Sequence, residues 1–381
     1  METTMALYTR TLLTATSLVA VGALTLSGCS ASSDQGAAAS GPDFDGLGLS
    51  AEVEKELASL YESAIESGDT EVMIYAGHHD EFTAIYEGFE SRFPGLTIST
   101  GSYYGAELQS LLEAENQTDK HVASVISNPN GDRYAEQGFV EPYEVATWEA
   151  NPALEGRVDP VQITDEEHMY YSPWALMFNM SYNTEALSED ELPASWEELG
   201  DAKWAGQLTF MNPATPGGTS TTLTQLVNAG VLDDGQLEAI AANTKIVASD
   251  QLALQGISSG EFALQPLSAM TSVINAANQG APVAPILLDK NNVIASEKWM
   301  LAAGAPSPDA GKLFLNYLHT VDAQEQALTS GNFPINQSPE LESPYGWPAL
   351  QDVDFVVYEA QDVLRPATQE LTPTFQSLFA E

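Results

Sequence analysis

The densest group of side chains that could do chemistry is the pair of histidines and the pair of carboxylates in GHHDE, from Gly77 to Glu81. Histidines and carboxylates ligate transition metals, so this group could hold a metal ion or activate a water molecule. Adjacent histidines, however, point to opposite faces of a strand, or about 100° apart on a helix. A metal site here would need ligands from distant segments, and the sequence lacks the HExxH pattern of helical zinc sites.

The same residues fit a second interpretation, in which the chain leaves a buried strand and begins a helix. Asp80 and Glu81 would then lie near the positive end of the helix dipole, where carboxylates are stabilising without any metal. In that case His78 or His79 lines a ligand cleft as a hydrogen-bond donor. These residues alone leave both interpretations open.

A second candidate is the glycine- and hydroxyl-rich segment NPATPGGTSTT, from Asn212 to Thr222. Adjacent glycines let backbone amides approach a ligand, and hydroxyls at a helix start add donors, an arrangement that binds phosphate or carboxylate oxygens. A capped helix after a tight turn would explain the prolines and one glycine, but not the hydroxyl cluster. The lysine of the nucleotide-binding P-loop is missing. The candidate ligand residues are Thr215, Gly217, Gly218, Thr219 and Ser220.

The elements that would position these residues alternate along the chain. We predict a helix over Glu52–Ser67, then strands at Glu71–Gly77, Gly95–Tyr104 and His121–Pro129, the first two followed by helices. Such alternation indicates a parallel sheet with helices on both faces, and ligands of such sheets bind beyond the carboxyl ends of the strands. The loops after these strands add four ligand candidates, which are Gly77, Ser102, Tyr103 and Asn128.

A second unit of strands and helices is predicted to start near Ala175. It opens at Ala175–Leu187 and continues with Gly206–Val227, where a strand runs into a Pro/Gly-rich turn and then a helix. Further strand and helix signals follow at Thr244–Ser249, Glu261–Ser268 and Ala281–Leu287. One of these strands ends at Ser268, which joins the ligand candidates.

The N-terminus is predicted to be a lipoprotein signal peptide. Arg10 precedes an apolar stretch that is short for a membrane span and ends in LSGC, which resembles the bacterial lipobox. Cys29 is the single cysteine of the chain, so we expect it to be lipidated after cleavage, not paired in an intramolecular disulfide. The Ser-, Ala- and Gly-rich residues up to Ser50 are predicted to form a flexible tether.

The composition limits the partners. The chain has 54 acidic and 12 basic residues, a formal net charge of −42, yet 44% of its residues are hydrophobic, which is enough for a folded core. An acidic surface repels phosphates, so we expect no nucleic acid partner and no binding to an anionic membrane through charge. Adaptation to high salt and ordinary acidity of an exported protein both explain the charge.

Three segments resemble the bacterial extracellular solute-binding proteins of the ferric-ion and organophosphate-binding group. They are LASLYESAIESGDTEVMIYAG (57–77), ASWEELGDAKWAGQLTFMNPATPGGT (194–219) and the segment 280–336 from GAPVAPILL to GNFPIN. The correspondence keeps the same order from Leu57 to Asn336. It implies an α/β fold, the type II periplasmic-binding-protein clamshell, in which each of two lobes is a mostly parallel sheet with flanking helices.

The resemblance also implies the domain organisation and the partners. With the signal peptide at 1–28 and the tether at 29–50, the first lobe would comprise 51–174 and 289–333, and the second 175–288 and 334–381. Such a protein is not an enzyme, needs no cofactor and hands a small ligand to an ABC permease. We expect a monomer, lipid-anchored on the extracytoplasmic face of the cell membrane.

The resemblance leaves the ligand open. Ferric members of the group use a residue of the first loop and an adjacent tyrosine pair in the second lobe, because phenolate oxygen suits Fe(III). Aligned on SGEF, that pair would fall near Met270 and Thr271, where there is no tyrosine. We therefore expect an oxyanion-bearing metabolite, phosphorylated or carboxylated.

Three alternatives remain from the sequence. The first is a ferric ion held with the help of His78 and Tyr103. The second is a secreted metal-dependent hydrolase built on His78, His79 and Asp80. The third is a sensor or adhesin that uses the same clamshell.

Overall fold

The structure is a computed structural model that describes residues 41–77, 79–150, 164, 167–335, 341–356 and 361–379. The predicted signal peptide and Cys29 lie outside these residues, as does His78. In the described part of the chain, no helix has the length and apolar character to cross a membrane. The α-helices there are α1 Ala51–Ser67, α2 Thr83–Arg92, α3 Gly105–Thr118, α4 Gly131–Glu136, α5 Ala146–Ala150, α6 Gly218–Asn228, α7 Asp234–Asn243, α8 Asp250–Ser258, α9 Met270–Asn278, α10 Pro308–Tyr317, α11 Val321–Thr329 and α12 Gln361–Leu378.

The strands form two sheets. Their bounds are β1 Glu71–Ala76, β2 Thr97–Ser102, β3 Val125–Asn128, β4 Val140–Glu141, β5 Trp174–Asn183, β6 Leu208–Met211, β7 Thr244–Val247, β8 Leu264–Ala269, β9 Val283–Pro285, β10 Val293–Ser296, β11 Lys298–Ala302 and β12 Phe333–Pro334. The first sheet has the order β2-β1-β3-β11-β4, and the second has the order β10-β5-β8-β6-β7, with β9 and β12 also paired to β5.

Each sheet contains three parallel strands, as the alternation of elements predicts. β1 pairs in parallel with β2 and β3, and β6 pairs in parallel with β7 and β8. The strands that connect the two sheets run the other way: β11 is antiparallel to β3, and β5 is antiparallel to β8 and β10. Both sheets are therefore mixed, with a parallel part whose strands all end at one edge. We call this the carboxyl edge of each sheet.

Apolar residues on alternate sides of the strands build the cores. In β1, Val72, Ile74 and Ala76 are fully buried in one cluster, while Tyr75 belongs to a cluster on the other side of the sheet. Helix α1 covers the first of these clusters with residues at helical spacing, which are Val53, Leu57, Tyr61 and Ala64. The second sheet has two further clusters of its own, and the first sheet's cluster extends into it at Met177 of β5 and Ile294 of β10.

The last part of the predicted tether is packed on the first sheet's core. Leu47 is fully buried, and Phe44 contacts Phe93 at 5.9 Å between ring centroids. The Asp43 amide donates to the Arg92 carbonyl at 2.8 Å. Burial of these side chains stabilises the segment, so a tether can only be proposed for residues before Asp43.

The chain passes between the sheets at two neighbouring places. Tyr171 bridges to Trp299 of the first sheet, and β5 of the second sheet begins three residues later at Trp174. On the return, β10 ends at Ser296 in the second sheet and β11 begins at Lys298 in the first. Glu297 alone separates these two strands, so this connection is almost a continuous strand shared by both sheets.

Candidate ligand site

Two contacts bring the carboxyl edges of the two sheets together. Ser272, near the start of α9 after β8, donates its hydroxyl to the Glu81 carboxylate after β1 at 3.1 Å. Arg365 of α12 donates from Nη2 to the Asn130 side-chain oxygen after β3 at 3.4 Å. Helix α12 in turn packs on α6, which follows β6. The loops beyond both sets of parallel strands therefore face each other, and ligands of such sheets bind at these edges.

His79 is held by the protein through both ring nitrogens. Nε2 lies 3.1 Å from the Gly101 carbonyl oxygen, which can only accept, so Nε2 carries the proton. Nδ1 lies 3.0 Å from the Tyr86 hydroxyl. Burial, with the Glu297 carboxylate nearby, raises the pKa of Tyr86, so its hydroxyl remains a donor. The His79 side chain thus joins β1 to β2 and α2.

The other candidates of the first sheet differ in their environment. Ser102 is exposed at the end of β2, while Tyr103 packs edge-on against Tyr75 at 5.0 Å between centroids. Gly77 lies beneath the Tyr104 ring, whose Cδ2 would be only 2.8 Å from a Cβ at this position. The structure therefore gives Gly77 a steric reason to be glycine, and the Tyr104 side chain at this edge is 49% exposed.

Asn128 is fully buried at the end of β3 and organises the next loop. Its Oδ1 accepts from both the backbone N and the side-chain Nδ2 of Asn130, at 3.0 and 2.9 Å. This fixes the Asn130 amide so that its Oδ1 faces Arg365. The Asn128 Nδ2 is itself buried and has no hydrogen-bond partner among the described residues.

The glycine- and hydroxyl-rich segment leads into the start of α6. The Ser220 hydroxyl donates to the Gly217 carbonyl at 2.9 Å and accepts from the Gly217 amide at 3.0 Å, which tightens the turn. Thr219 donates to the Asp250 carboxylate at 3.1 Å, linking the starts of α6 and α8. Thr215 is exposed in the loop before them. The hydroxyls of Ser220 and Thr219 therefore bond within the protein and hold the loop in shape. The groups that the loop can offer to a ligand are the backbone amides of the first turn of α6.

Ser268 lies inside the second sheet. Its hydroxyl is within hydrogen-bond distance of the Asn179 carbonyl oxygen at 2.9 Å and of the Ser181 hydroxyl at 3.0 Å. The side chain is 4% exposed. Its hydrogen bonds therefore join β8 to β5. The part of the chain that lies at the carboxyl edge next to it is the start of α9, directly after β8.

The helices at the carboxyl edges begin without a side-chain cap more often than the others. Helices α2, α3, α4, α6 and α9 follow parallel strands, and none has a capping bond from the N-cap side chain; α8, capped by Ser249, is the exception. Among helices that do not follow a parallel strand, α1, α7 and α11 are capped, by Ser50, Asp233 and Thr320, whereas α10 has no side-chain cap. Uncapped first turns leave amide donors for another partner, and the helix dipole favours a negative one.

The chain matches the profile of a known family over residues 84–349, which is more than half of its length. The description of that family is bacterial extracellular solute-binding protein. The chain belongs to this family. Its members work outside the cytoplasm, so this solute-binding protein has an extracytoplasmic location and the role of a capture component for import. No curated protein sequence matches it.

Solved structures confirm the fold of this solute-binding protein. AfuA from Actinobacillus pleuropneumoniae, a periplasmic binding protein solved with exogenous fructose-6-phosphate, aligns with a TM-score of 0.63 and 17% identity, over 80% of this chain and 98% of that one. Iron-bound HitA from Pseudomonas aeruginosa aligns with a TM-score of 0.63 and 15% identity, over 80% and 99%. The predicted type II clamshell is thus confirmed, and these two relatives hold different classes of ligand.

The positions aligned with the tyrosine pair of ferric binders lie at the carboxyl edge of the second sheet. Met270 and Thr271 are the first residues of α9, directly after β8, and both are buried. The Thr271 hydroxyl has no hydrogen-bond partner among the described residues. In the described part of the chain, no group of three or more His, Cys, Asp or Glu residues could hold a metal ion.

Sequence reasoning missed the residues that join distant segments. Glu81 was assigned to the helix dipole, yet its carboxylate accepts from Ser272 of the other sheet. Lys298 is fully buried at the start of β11, and its ammonium donates to both Asp132 oxygens at 2.9 and 2.8 Å. Arg365 also went unnoticed. The one signal in the sequence that could have pointed to Lys298 and Arg365 is the scarcity of basic residues. The chain has only 12 of them and is strongly acidic, so each one calls for a specific explanation.

Proposed function

We propose that this solute-binding protein captures a small phosphorylated or carboxylated metabolite between two lobes and delivers it to an ABC permease. The observation that supports this ligand class is the set of uncapped helix starts at the two carboxyl edges. Of these, α3, α6 and α9 are each at least nine residues long, so each has a substantial dipole. Amides at such helix starts bind oxyanions without requiring lysine or arginine.

The proposed lobes each contain one sheet. The bounds that the resemblance implies are 51–174 and 289–333 for the first lobe, and 175–288 and 334–381 for the second. Because β10 and β12 pair with β5, we propose that Val293–Ser296 and Phe333 belong to the second lobe, with the crossing segments around Ser172 and Glu297 as the hinge. Ligand would then bridge the Glu81 and Asn130 loops on one side and the starts of α6 and α9 on the other. The candidate ligand residues remain proposals at those loops, His78 included.

Two carboxylates lie beside the proposed helix-start sites and would repel an anionic ligand that binds next to them. Asp250 accepts from Thr219 at the start of α6, and Glu81 accepts from Ser272 at the start of α9. Each carboxylate already has a donor in the protein, and screening at physiological salt limits its repulsion of a ligand to about 8 Å. An anion can therefore bind at amides directed away from these carboxylates.

We further propose that the protein is a monomer held at the membrane by lipid on Cys29, acts without a cofactor and is not an enzyme. The lipobox and the residues before Asp43 support the anchor. The body needs no membrane contact of its own to work, because the residues before Asp43 reach the membrane and ligand transfer occurs at the permease.

The test is a titration of the purified protein with inorganic phosphate, fructose 6-phosphate, citrate and ferric nitrilotriacetate, followed by calorimetry and small-angle scattering. We expect saturable heat with a phosphorylated or carboxylated compound, no turnover, and a smaller radius of gyration at saturation because the lobes close on the ligand. Protein purified from its host that shows a visible phenolate-to-iron absorption band, lost on mutating a tyrosine, would refute the oxyanion ligand. Steady hydrolysis abolished by a chelator would instead support the hydrolase.

A further inference from the structure

Arg365 lies where helix α12 meets the Asn130 loop of the first sheet, and no sequence motif marks it. It belongs to α12, which packs on α6 and α7 of the second sheet's core. Its side chain is exposed, and its Nη2 reaches the Asn130 oxygen at 3.4 Å. Among the described residues it is the basic side chain whose hydrogen bond connects the loops of the two sheets.

The partner of Arg365 is neutral. Because Asn128 holds the Asn130 amide nitrogen, the loop presents an amide oxygen and not a carboxylate to the guanidinium. Among the described residues, Arg92, Lys245, Lys298 and Lys312 form ion pairs with carboxylates, while Arg365, like the five remaining basic residues there, forms none. In this described part of the chain, no carboxylate therefore neutralises the charge of Arg365.

The geometry leaves most of the guanidinium donors of Arg365 available. The guanidinium has five N–H groups, and the bond to Asn130 uses one of them at a long distance. Such a planar fork matches the two oxygens of a carboxylate or phosphate, and arginine is the side chain best suited to that recognition.

We propose that Arg365 is the residue of α12 that recognises the negative charge of the ligand and links it to the Asn130 loop when the lobes close. This inference rests on the proposed oxyanion ligand and adds the cation that the helix amides lack. Helix α12 would thereby form part of the binding site and supply a positive charge from an element outside the two sheets.

The experiment compares the full chain with Arg365→Gln, Arg365→Lys and the control Lys120→Gln. Lys120 is exposed between α3 and β3, at the opposite end of the first sheet, and its loss changes the net charge equally. Dissociation constants for inorganic phosphate, fructose 6-phosphate and citrate are measured by calorimetry at low and at physiological salt. Urea unfolding of each variant shows whether its stability is preserved.

We expect Arg365→Gln to weaken binding of the anion by about 10- to 100-fold, the range for loss of a charged hydrogen-bond donor. Its dissociation constant should also depend less on salt, because a screened charge has been removed. Arg365→Lys should lie between the two, and Lys120→Gln should bind as wild type does. A change in folding alone would not flatten the salt dependence.

Three results would overturn this assignment. Equal affinity and equal salt dependence of wild type and Arg365→Gln would refute the role of Arg365 and leave the proposed function intact. The same refutation follows if Lys120→Gln weakens binding as much as Arg365→Gln does. Failure of the wild-type protein to bind any of the three anions would overturn the ligand class and this assignment together.

Discussion

Gly217 and Gly218 are adjacent, yet the structure predicts opposite responses to alanine. A Cβ on Gly218 would lie 2.6 Å from Phe178 Cε1 and 3.2 Å from Cζ, whereas carbon atoms in contact normally lie about 3.5–4.0 Å apart. A Cβ on Gly217 would meet only Met211 Cε, at 3.2 Å, which is the free end of a flexible side chain. Gly217 also has extended backbone with φ 162°, which other residues adopt.

The expected loss follows from these distances. Phe178 belongs to β5 and is partly buried, and its backbone is held in place by pairing with β8 and β10 on either side. Overpacking of this kind costs about 1–3 kcal/mol, and the better helix propensity of alanine offsets at most about 1 kcal/mol at a first-turn position. Gly218→Ala should therefore lower the free energy of unfolding by about 1–2 kcal/mol. Gly217→Ala should change it by no more than about 0.5 kcal/mol.

Urea unfolding measures both values, with the m-value as a check that the unfolding transition is unchanged. The double variant Gly218→Ala with Phe178→Leu should be more stable than the sum of its single changes predicts, because leucine relieves the contact. Equal stability of the two alanine variants, or additivity in the double variant, would refute the packing explanation. Gly218 would then be glycine for the sake of the ligand alone.

Three further predictions concern the anchor, the buried ion pair and alkaline pH. Cys29→Ser should release the protein from membrane fractions, and a variant that still sediments with membranes would contradict the lipid anchor. Asp132→Ala should reduce the free energy of unfolding by about 2–3 kcal/mol, near the lower end for buried pairs, because the Asp132 side chain is 36% exposed; no change in the urea midpoint would contradict it. Burial raises the pKa of Tyr134 to about 12, while the unfolded chain releases this proton near pH 10, so stability should fall as pH rises from 10 to 12. Tyr134→Phe should make that fall shallower, as thermal unfolding at each pH will show.

The local elements could be predicted because their signals are local. The apolar spacing of Val53, Leu57 and Tyr61 gave α1 to within one residue, and the run Glu71–Ala76 gave β1. The alternation of strands and helices then predicted the three parallel strands of each sheet and the edge at which the ligand loops lie. Each of these inferences uses residues within about 20 positions of one another, where periodicity and capping act.

Contacts between distant segments could not be predicted in this way. The partner of Lys298 is 166 residues earlier, and Arg365 and Asn130 are 235 residues apart. His79 shows the same limit, since its Nε2 bonds to a carbonyl of the neighbouring strand, which no spacing in GHHDE reveals. The ligand class depends on contacts of this kind, so the sequence reached the fold and the edge but not Arg365.

The insertion of β11 between β3 and β4 dictates the order in which the molecule can fold. The free edge of β3 pairs with residues 298–301, about 170 positions further along, so the first sheet cannot be completed until the second sheet's chain has been made. Native pairing at such sequence separation is slow, because the loop must close before the contacts form. A strand that arrives so late keeps the first half of the chain from becoming a finished domain before the second half is present.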